Sequence, residues 1–388
     1  MSDLEQILSL WRELSSAGED YVLATIVAVE GSNYRRPGAR MLLAADGRRA
    51  GTVSGGCLEA EVARRAWGLT EHGPAVERYS TLDDDGDMPY GSGCGGVVFI
   101  LLERRTTANT SLHALDGAFE AREALAIATI VEGPHTGDRS IASDGVAAAS
   151  AHDATATLHP LAPWQIDLDG LAHSAFELRQ SGEDRIAIEG APVRVHVEYR
   201  APRPGLWIFG AGDDAKPLLH FARELGWFVV IADGRAHLAT EARFPSVHRV
   251  LSLQIADLPH RAPEVLDLRP TDAAVLMTHS FEQDSRILAM LLEKPLSQRP
   301  AYIGILGPQH RTRELLAEVA HLLGVAPSAT LVEQWLEEIN APMGLDLGAE
   351  APAPVALSIL AEIHKSLTAA SALPLRVVRA SKPEIAAR

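Results

Sequence analysis

Leu206-Trp207-Ile208-Phe209 runs straight into Gly210-Ala211-Gly212-Asp213-Asp214-Ala215, and a helical pattern follows as far as Leu225. Trp227 to Ala232 is apolar again and ends in Asp233-Gly234-Arg235. This stretch constrains the fold more than any other. Two parallel strands need a crossover between them, and here the crossover opens on a G-x-G-x-x-A turn. The acidic Asp233 lies about twenty residues past the glycines, where a Rossmann-like fold places its ribose ligand. Pro217 is tolerated in the first helical turn. Further strands are expected at Arg249–Leu251, Ala273–Met277 and Tyr302–Leu306. Their ends would bring Gly234, Thr278-His279-Ser280 and Gly307 to the carboxyl edge of one parallel sheet, where ligands bind. His279 is an acid–base candidate there, and equally a residue that bonds a neighbouring loop. Gln309-His310-Arg311-Thr312-Arg313 starts the next helix and adds positive charge to the rim. Gly344 to Ala349 reads as a turn, Pro354 to Leu367 as a closing helix, and 375 to 388 as a loose tail.

The first half is organised around a second glycine element, Thr52-Val53-Ser54-Gly55-Gly56-Cys57-Leu58-Glu59. Leu58, Val62, Ala66 and Leu69 repeat at helical spacing after it. Glycines before a helix let backbone amides turn toward a ligand, and the free amides and dipole of the helix start attract anions. A cysteine there should ionise more readily than a free one. The only other cysteine of the chain, Cys94, also sits beside a glycine pair, in Gly91-Ser92-Gly93-Cys94-Gly95-Gly96. The plainer reading is that both are small buried hydrophobes at turns.

Around this element, Leu4, Ile7, Leu8, Trp11 and Leu14 predict an opening amphipathic helix. Tyr21–Val29 and Met41–Ala44 predict strands, with a hairpin turn at Ala45-Asp46-Gly47-Arg48. The loop from Gly31 to Arg40 carries Arg35, Arg36 and Arg40 and is either a solvated basic loop or a neighbour of the anion cradle. Glu77–Leu82 and Val97–Leu102 read as strands, so Cys94 would sit at a strand start. Asp83-Asp84-Asp85-Gly86-Asp87 lacks EF-hand spacing and reads as a solvated loop. Between 104 and 200, Thr106–Ser111 reads as a polar break, followed by a helix and short strands that include Ala126–Val131 and Arg194–Tyr199. His135, His152 and His159 lack ligand spacing. Arg200-Ala201-Pro202-Arg203-Pro204-Gly205 has the composition of a linker.

The expected class is α/β: an N-terminal mixed α+β domain followed by a Rossmann-like, doubly wound parallel sheet domain. The expected segments are 1–103, a β-rich extension and linker at 104–200, and 201–388. A chain of 388 residues exceeds one ordinary core. A net charge of −16 argues against nucleic acid or an anionic membrane as the main partner. Two cysteines exclude a disulfide scaffold and a cysteine-only zinc site. The acidic N-terminus is unlike a signal peptide, and no apolar run reaches membrane-span length, so a cytoplasmic protein is expected.

Several of these stretches together resemble the XdhC/CoxI proteins, accessory factors of xanthine dehydrogenase and related molybdenum hydroxylases. The motifs are Arg36-Pro37-Gly38-Ala39-Arg40-Met41, Gly51 to Glu59, Cys94-Gly95-Gly96, Phe209-Gly210-Ala211-Gly212, Val230 to Arg235, Tyr302 to Gly307 and Gly344 to Ala349. They follow the family's order and span both halves. The chain departs from many relatives at Asp213 and at Asn33-Tyr34. The resemblance implies a maturation role, not turnover of a small substrate. Such proteins bind molybdenum cofactor, hold it while a cysteine desulfurase installs its sulfido ligand, and help load it into a client hydroxylase. It makes Cys57 and Cys94 the sulfur-handling residues, with a possible soft contact from either to molybdenum and no metal site by spacing. It also makes Arg36, Arg40, Ser54, Gly55, Gly56, Gly210, Gly212, Asp233 and Arg235 the remaining cofactor-binding residues. Arg35 would join Arg36 and Arg40 on the cofactor phosphate. A homodimer is expected by analogy alone, with NAD(P) a further occupant of the Rossmann-like turn. Two other readings stay open: an NAD(P)-dependent oxidoreductase using His279, and a nucleotide-sensing partner protein without chemistry. A hydride transfer has no use for the two cysteines.

Overall fold

In the computed structural model, residues 2–31, 33–80, 96–144, 162–254, 258 and 266–380 are described. The chain divides into two compact units, Met1–Arg203 and Pro204–Arg388.

The first unit opens with α1 (Asp3–Ala17). The Ser2 hydroxyl caps its start, and Gly18, in the left-handed region at φ 71°, ends it by donating to the Leu14 and Ser15 carbonyls. Its buried stripe is Ile7, Leu8, Trp11 and Leu14, as the helical spacing predicts. There follow β1 (Tyr21–Gly31), β2 (Arg40–Ala44), β3 (Arg49–Gly51), α2 (Glu59–Leu69), β4 (Ala75–Ser80) and β5 (Gly96–Arg104). The five strands form one antiparallel sheet in the order β3-β2-β1-β5-β4. The central β1 is apolar without alternation because both its faces are covered. Tyr21 and Leu23 pack with α1, whereas Val22, Ala24 and Ile26 pack with Val62 and Ala66 of α2.

Next come α3 (Arg105–Ala121), β6 (Leu125–Ile130), β7 (Arg139–Ser143), α4 (Pro163–Leu178), β8 (Gly182–Ile188) and β9 (Ala191–Arg200). These strands form a second antiparallel sheet, β7-β6-β9-β8. One face buries Leu168, Ala172 and Ala175 of α4, and Leu125, Ile127 and Ile141 join the core under α1 and α3. The expected polar break at Thr106–Ser111 is instead helical, the first turns of α3. Ala108 and Ser111 face inward, and the Ser111 hydroxyl bonds back to the Ala108 carbonyl at 2.9 Å, so a small polar side chain satisfies itself inside a helix.

The second unit alternates β10 (Gly205–Phe209), α5 (Ala215–Glu224), β11 (Phe228–Asp233), β12 (Arg249–Ser252), β13 (Ala273–Leu276), α6 (Phe281–Glu293), β14 (Tyr302–Ile305) and α7 (Gln309–Leu322). After these come α8 (Ala329–Glu338), α9 (Pro352–Thr368) and α10 (Leu375–Ala380). The sheet is parallel, in the order β12-β11-β10-β13-β14. It is a Rossmann-like sheet whose order reverses at β10. α5 and α9 cover one face, and α6, α7 and α8 cover the other. The expected loose tail is helical over Leu375–Ala380. No helix among the described residues is long and apolar enough to cross a membrane.

Candidate functional site

Gly51 ends β3 where a Cβ would stand 2.4 Å from the Arg40 carbonyl oxygen, so only glycine fits. The chain then turns through Thr52 to Leu58 into α2. The glycine turn is present, but protein oxygens take the amides of Val53, Ser54, Gly56 and Leu58 expected to face an anion. Glu59 Oε1 accepts the amides of Val53 at 3.2 Å and Ser54 at 2.8 Å, and Oε2 accepts the Ser54 hydroxyl at 2.5 Å. Burial pushes the Glu59 carboxyl up, but the Ser54 hydroxyl and the surrounding amides outweigh it and hold it below the usual range. With its hydroxyl hydrogen donated in the bond to Glu59, Ser54 Oγ offers only lone pairs to its other neighbours. It accepts the amides of Gly56 at 3.0 Å and Leu58 at 3.1 Å, and the Cys57 thiol at 3.6 Å. Gly56 sits at φ +114°, which a side chain rarely tolerates. Gly55, Gly56 and Cys57 are exposed.

The arginine loop divides. Arg35 reaches this element: its guanidinium bonds Thr52 Oγ1 and pairs with Asp3 at 2.7 Å. The exposed Tyr34 ring lies alongside Gly55. Arg36 is exposed. Arg40 goes elsewhere. It is the first residue of β2, and its buried guanidinium forms two bonds to Glu198 of β9 and one to the Gly38 carbonyl at 2.9 Å. Burial pushes the Glu198 carboxyl up, and Arg40 overrides that and pulls it down to about 2. A second buried pair, Arg139 with Glu103, stands near it. His196 is buried beside them with neither ring nitrogen bonded. None of Glu103, Arg139, His196 or Glu198 was visible as a group in the sequence. Cys94 lies outside the described residues, as does the acidic run at 83–87.

In the second unit, Gly210 has φ +131°, and a Cβ there would stand 2.6 Å from the Met277 carbonyl oxygen. The turn must therefore carry glycine to pass β13. Gly212 has nothing within 4 Å of its Cβ position, which leaves room for a ligand. Asp233 stands where the sequence places it, at the end of β11, but its carboxylate turns inward. Oδ2 accepts the Ala211 amide at 2.7 Å, and Oδ1 accepts the Arg235 amide at 2.8 Å. The Arg235 guanidinium bonds both oxygens, at 3.0 and 2.7 Å. Burial raises the Asp233 carboxyl, and Arg235 with the two amides more than reverses that, leaving it below the usual range. A ribose hydroxyl would have to displace these partners. Asp213 is exposed and neutralised by Lys216 at 2.8 Å and Arg243 at 2.9 Å.

The rest of the carboxyl edge is bonded through Asp284. It accepts the Thr278 hydroxyl at 2.6 Å and pairs with Arg311 at 2.6 Å. Burial raises its pKa beyond what Thr278 and Arg311 take back. Gln283 is buried against Gly234 with its Nε2 unbonded, and His279 is exposed. Among the described residues no three His, Cys, Asp or Glu side chains are placed to hold a metal ion.

Together these define a two-unit α/β protein that pairs a thiol-bearing turn with a braced Rossmann-like turn. Comparison with known proteins narrows that class. Residues 14–80 match the XdhC and CoxI family, and residues 206–363 match the XdhC Rossmann domain. A probable xanthine dehydrogenase subunit of Bacillus subtilis (strain 168) is 30% identical over 348 residues, covering 89% of this chain and 92% of that protein. The "Molybdenum cofactor insertion chaperone PaoD" of Escherichia coli (strain K12) is 32% identical over 123 residues, covering 29% of this chain and 36% of that one. The crystal structure of a xanthine dehydrogenase from Bacillus halodurans is similar with a TM-score of 0.69 at 28% identity, covering 99% of this chain and 98% of that one. The chain belongs to the XdhC/CoxI family.

Proposed function

We propose that this chain is a molybdenum cofactor insertion chaperone that supports sulfuration of the cofactor and delivers it to a xanthine dehydrogenase-like molybdenum hydroxylase. The observation that carries this reading is Cys57: an exposed thiol on a turn that the Ser54–Glu59 network holds rigid. A relative named as such a chaperone matches part of the chain. When bound, the cofactor supplies molybdenum and dithiolene chemistry, which is the client's to use.

The residues present fit such a group. Cys57 offers a soft sulfur, suited to molybdenum and to sulfide. The amides of Gly212, Asp213 and Asp214, at the start of α5, have no acceptor among the described residues and suit a phosphate. Arg235 and Asp233 hold that turn in shape. Arg36 is free to meet an anion, whereas Arg40 is committed to Glu198. A cysteine desulfurase is the sulfur donor in this reading, with Cys57 and Cys94 handling sulfur.

The test is to express the chain in a cell that makes molybdenum cofactor, purify it without oxygen, and assay released pterin, molybdenum and nicotinamide nucleotide. Pterin with molybdenum is expected, and Cys57→Ala should abolish client activation with circular dichroism unchanged. Nucleotide without pterin, even after incubation with free cofactor, would sink the proposal.

A further inference from the structure

α5 and α9 lie side by side on one face of the parallel sheet. Between them is a cavity of about 190 Å³. Leu218, Met277, Leu306 and Ile359 form aliphatic walls, and the exposed carboxylates of Asp214 and Glu350 border it. Met277 and Leu306 directly follow β13 and β14, so the cavity opens at the carboxyl edge, where α/β sheets take ligands. Asp214 is two residues past Gly212, so the cavity adjoins the glycine turn.

The lining specifies an occupant. Four aliphatic side chains, one of them a polarizable methionine, suit the faces of a flat ring. Neither Asp214 nor Glu350 has an ion-pair partner among the described residues, and Asp214 caps no helix amide. Uncompensated carboxylates at the mouth of an apolar cavity select neighbouring N–H donors or positive charge, because one carboxylate accepts two parallel N–H bonds. The volume is below the roughly 300 Å³ at which pockets begin to hold drug-sized molecules, so a ring enters and the rest of the ligand stays outside.

We infer that this cavity is the subsite for the pterin ring of the cofactor, with Asp214 and Glu350 accepting its amino and ring N–H groups. The inference rests on the chaperone reading and adds a location and a recognition edge to it. The pterin edge carries an amino group next to a ring N–H, the donor pair that one carboxylate matches. A nicotinamide ring, which is cationic when oxidised, is the competing occupant.

The probe is free pterin (2-amino-4-oxopteridine), titrated into the full chain and followed by its own fluorescence, with NAD⁺ titrated in parallel. Saturable pterin binding is expected, weakened at least tenfold in the D214N/E350Q double variant and lost in Ala356→Phe, which fills the cavity. The double variant changes two exposed side chains, so its thermal melting should match the parent. Equal pterin affinity in parent and double variant overturns the inference. So does NAD⁺ binding that the double variant weakens while pterin does not bind. If free pterin does not bind but molybdenum cofactor still co-purifies, the ring lies elsewhere and the chaperone reading stands. If neither pterin nor cofactor is found, both fall.

Discussion

His196 is the most informative residue to perturb in the first unit. It lies on β9, 4% exposed, with neither ring nitrogen bonded, beside a space of about 10 Å³ shared with Thr25, Thr129 and Ser111. Burial lowers its pKa to about 4, with Glu198 pulling it up and Arg40 pushing it further down. The sign follows. The unfolded chain takes up this proton as pH falls below about 6.5, and the folded chain resists until about 4, so stability present above pH 6.5 drains away across that window. The gap is worth about 3 kcal/mol in full, of which about 2 kcal/mol is lost by pH 5.0. Glu198 acts in the same direction in a lower window, from the ordinary carboxylate range down to about 2, and contributes little at pH 5.0. His196→Leu removes the titration and leaves the ion pairs. The assay is hydrogen exchange by mass spectrometry on peptides from β1 and β9, parent against variant at pH 7.5 and at pH 5.0. Comparison at one pH cancels the intrinsic exchange rate. Between the two pH values the variant should gain about 2 kcal/mol on the parent. Parallel pH dependence in the two proteins would refute the reasoning.

Two further outcomes test the placement of sequence-derived site residues. Arg40→Ala leaves the buried Glu198 carboxylate only Arg200, at 3.1 Å, among the described residues and should cost about 3 kcal/mol in urea unfolding, whereas Arg36→Ala should leave the midpoint unchanged; equal effects would place Arg40 at the surface. Gly210→Ala drives a Cβ against the Met277 carbonyl at a left-handed φ and should lower the melting temperature by many degrees, whereas Gly212→Ala should melt with the parent and weaken anion binding.

The main elements of the first antiparallel sheet and of the parallel sheet were legible because their patterns are strong. The apolar run of β1, the helical stripe of α1 and the strand–glycine turn–helix of β10 and α5 each fall where periodicity puts them. What remained hidden is long-range pairing. Arg40 sits in an arginine-rich loop by sequence, but its partner is 158 positions away on another sheet, and no local pattern reports that. Thr106 to Ser111 reads as a break because its residues are polar, yet small hydroxyls pack inside α3 by bonding their own backbone. For Asp233 the position was readable and the direction was not, since the outward and inward carboxylates share one sequence.

The same inward turn recurs in both units, and it sorts their roles. Glu59 occupies the amides of Val53 and Ser54, and Asp233 occupies the amide of Ala211, so each glycine turn is stiffened by its own carboxylate. The two differ in what balances the charge. Asp233 is answered by both arms of the Arg235 guanidinium, and the amides of Gly212 to Asp214 are left for a ligand. No cation pairs with Glu59 among the described residues, so an incoming phosphate at the first turn would meet an unbalanced negative charge. A neutral or soft group would not pay that penalty. In the proposed reading the first turn is therefore left to the sulfur of Cys57, which Ser54 and Glu59 hold in place.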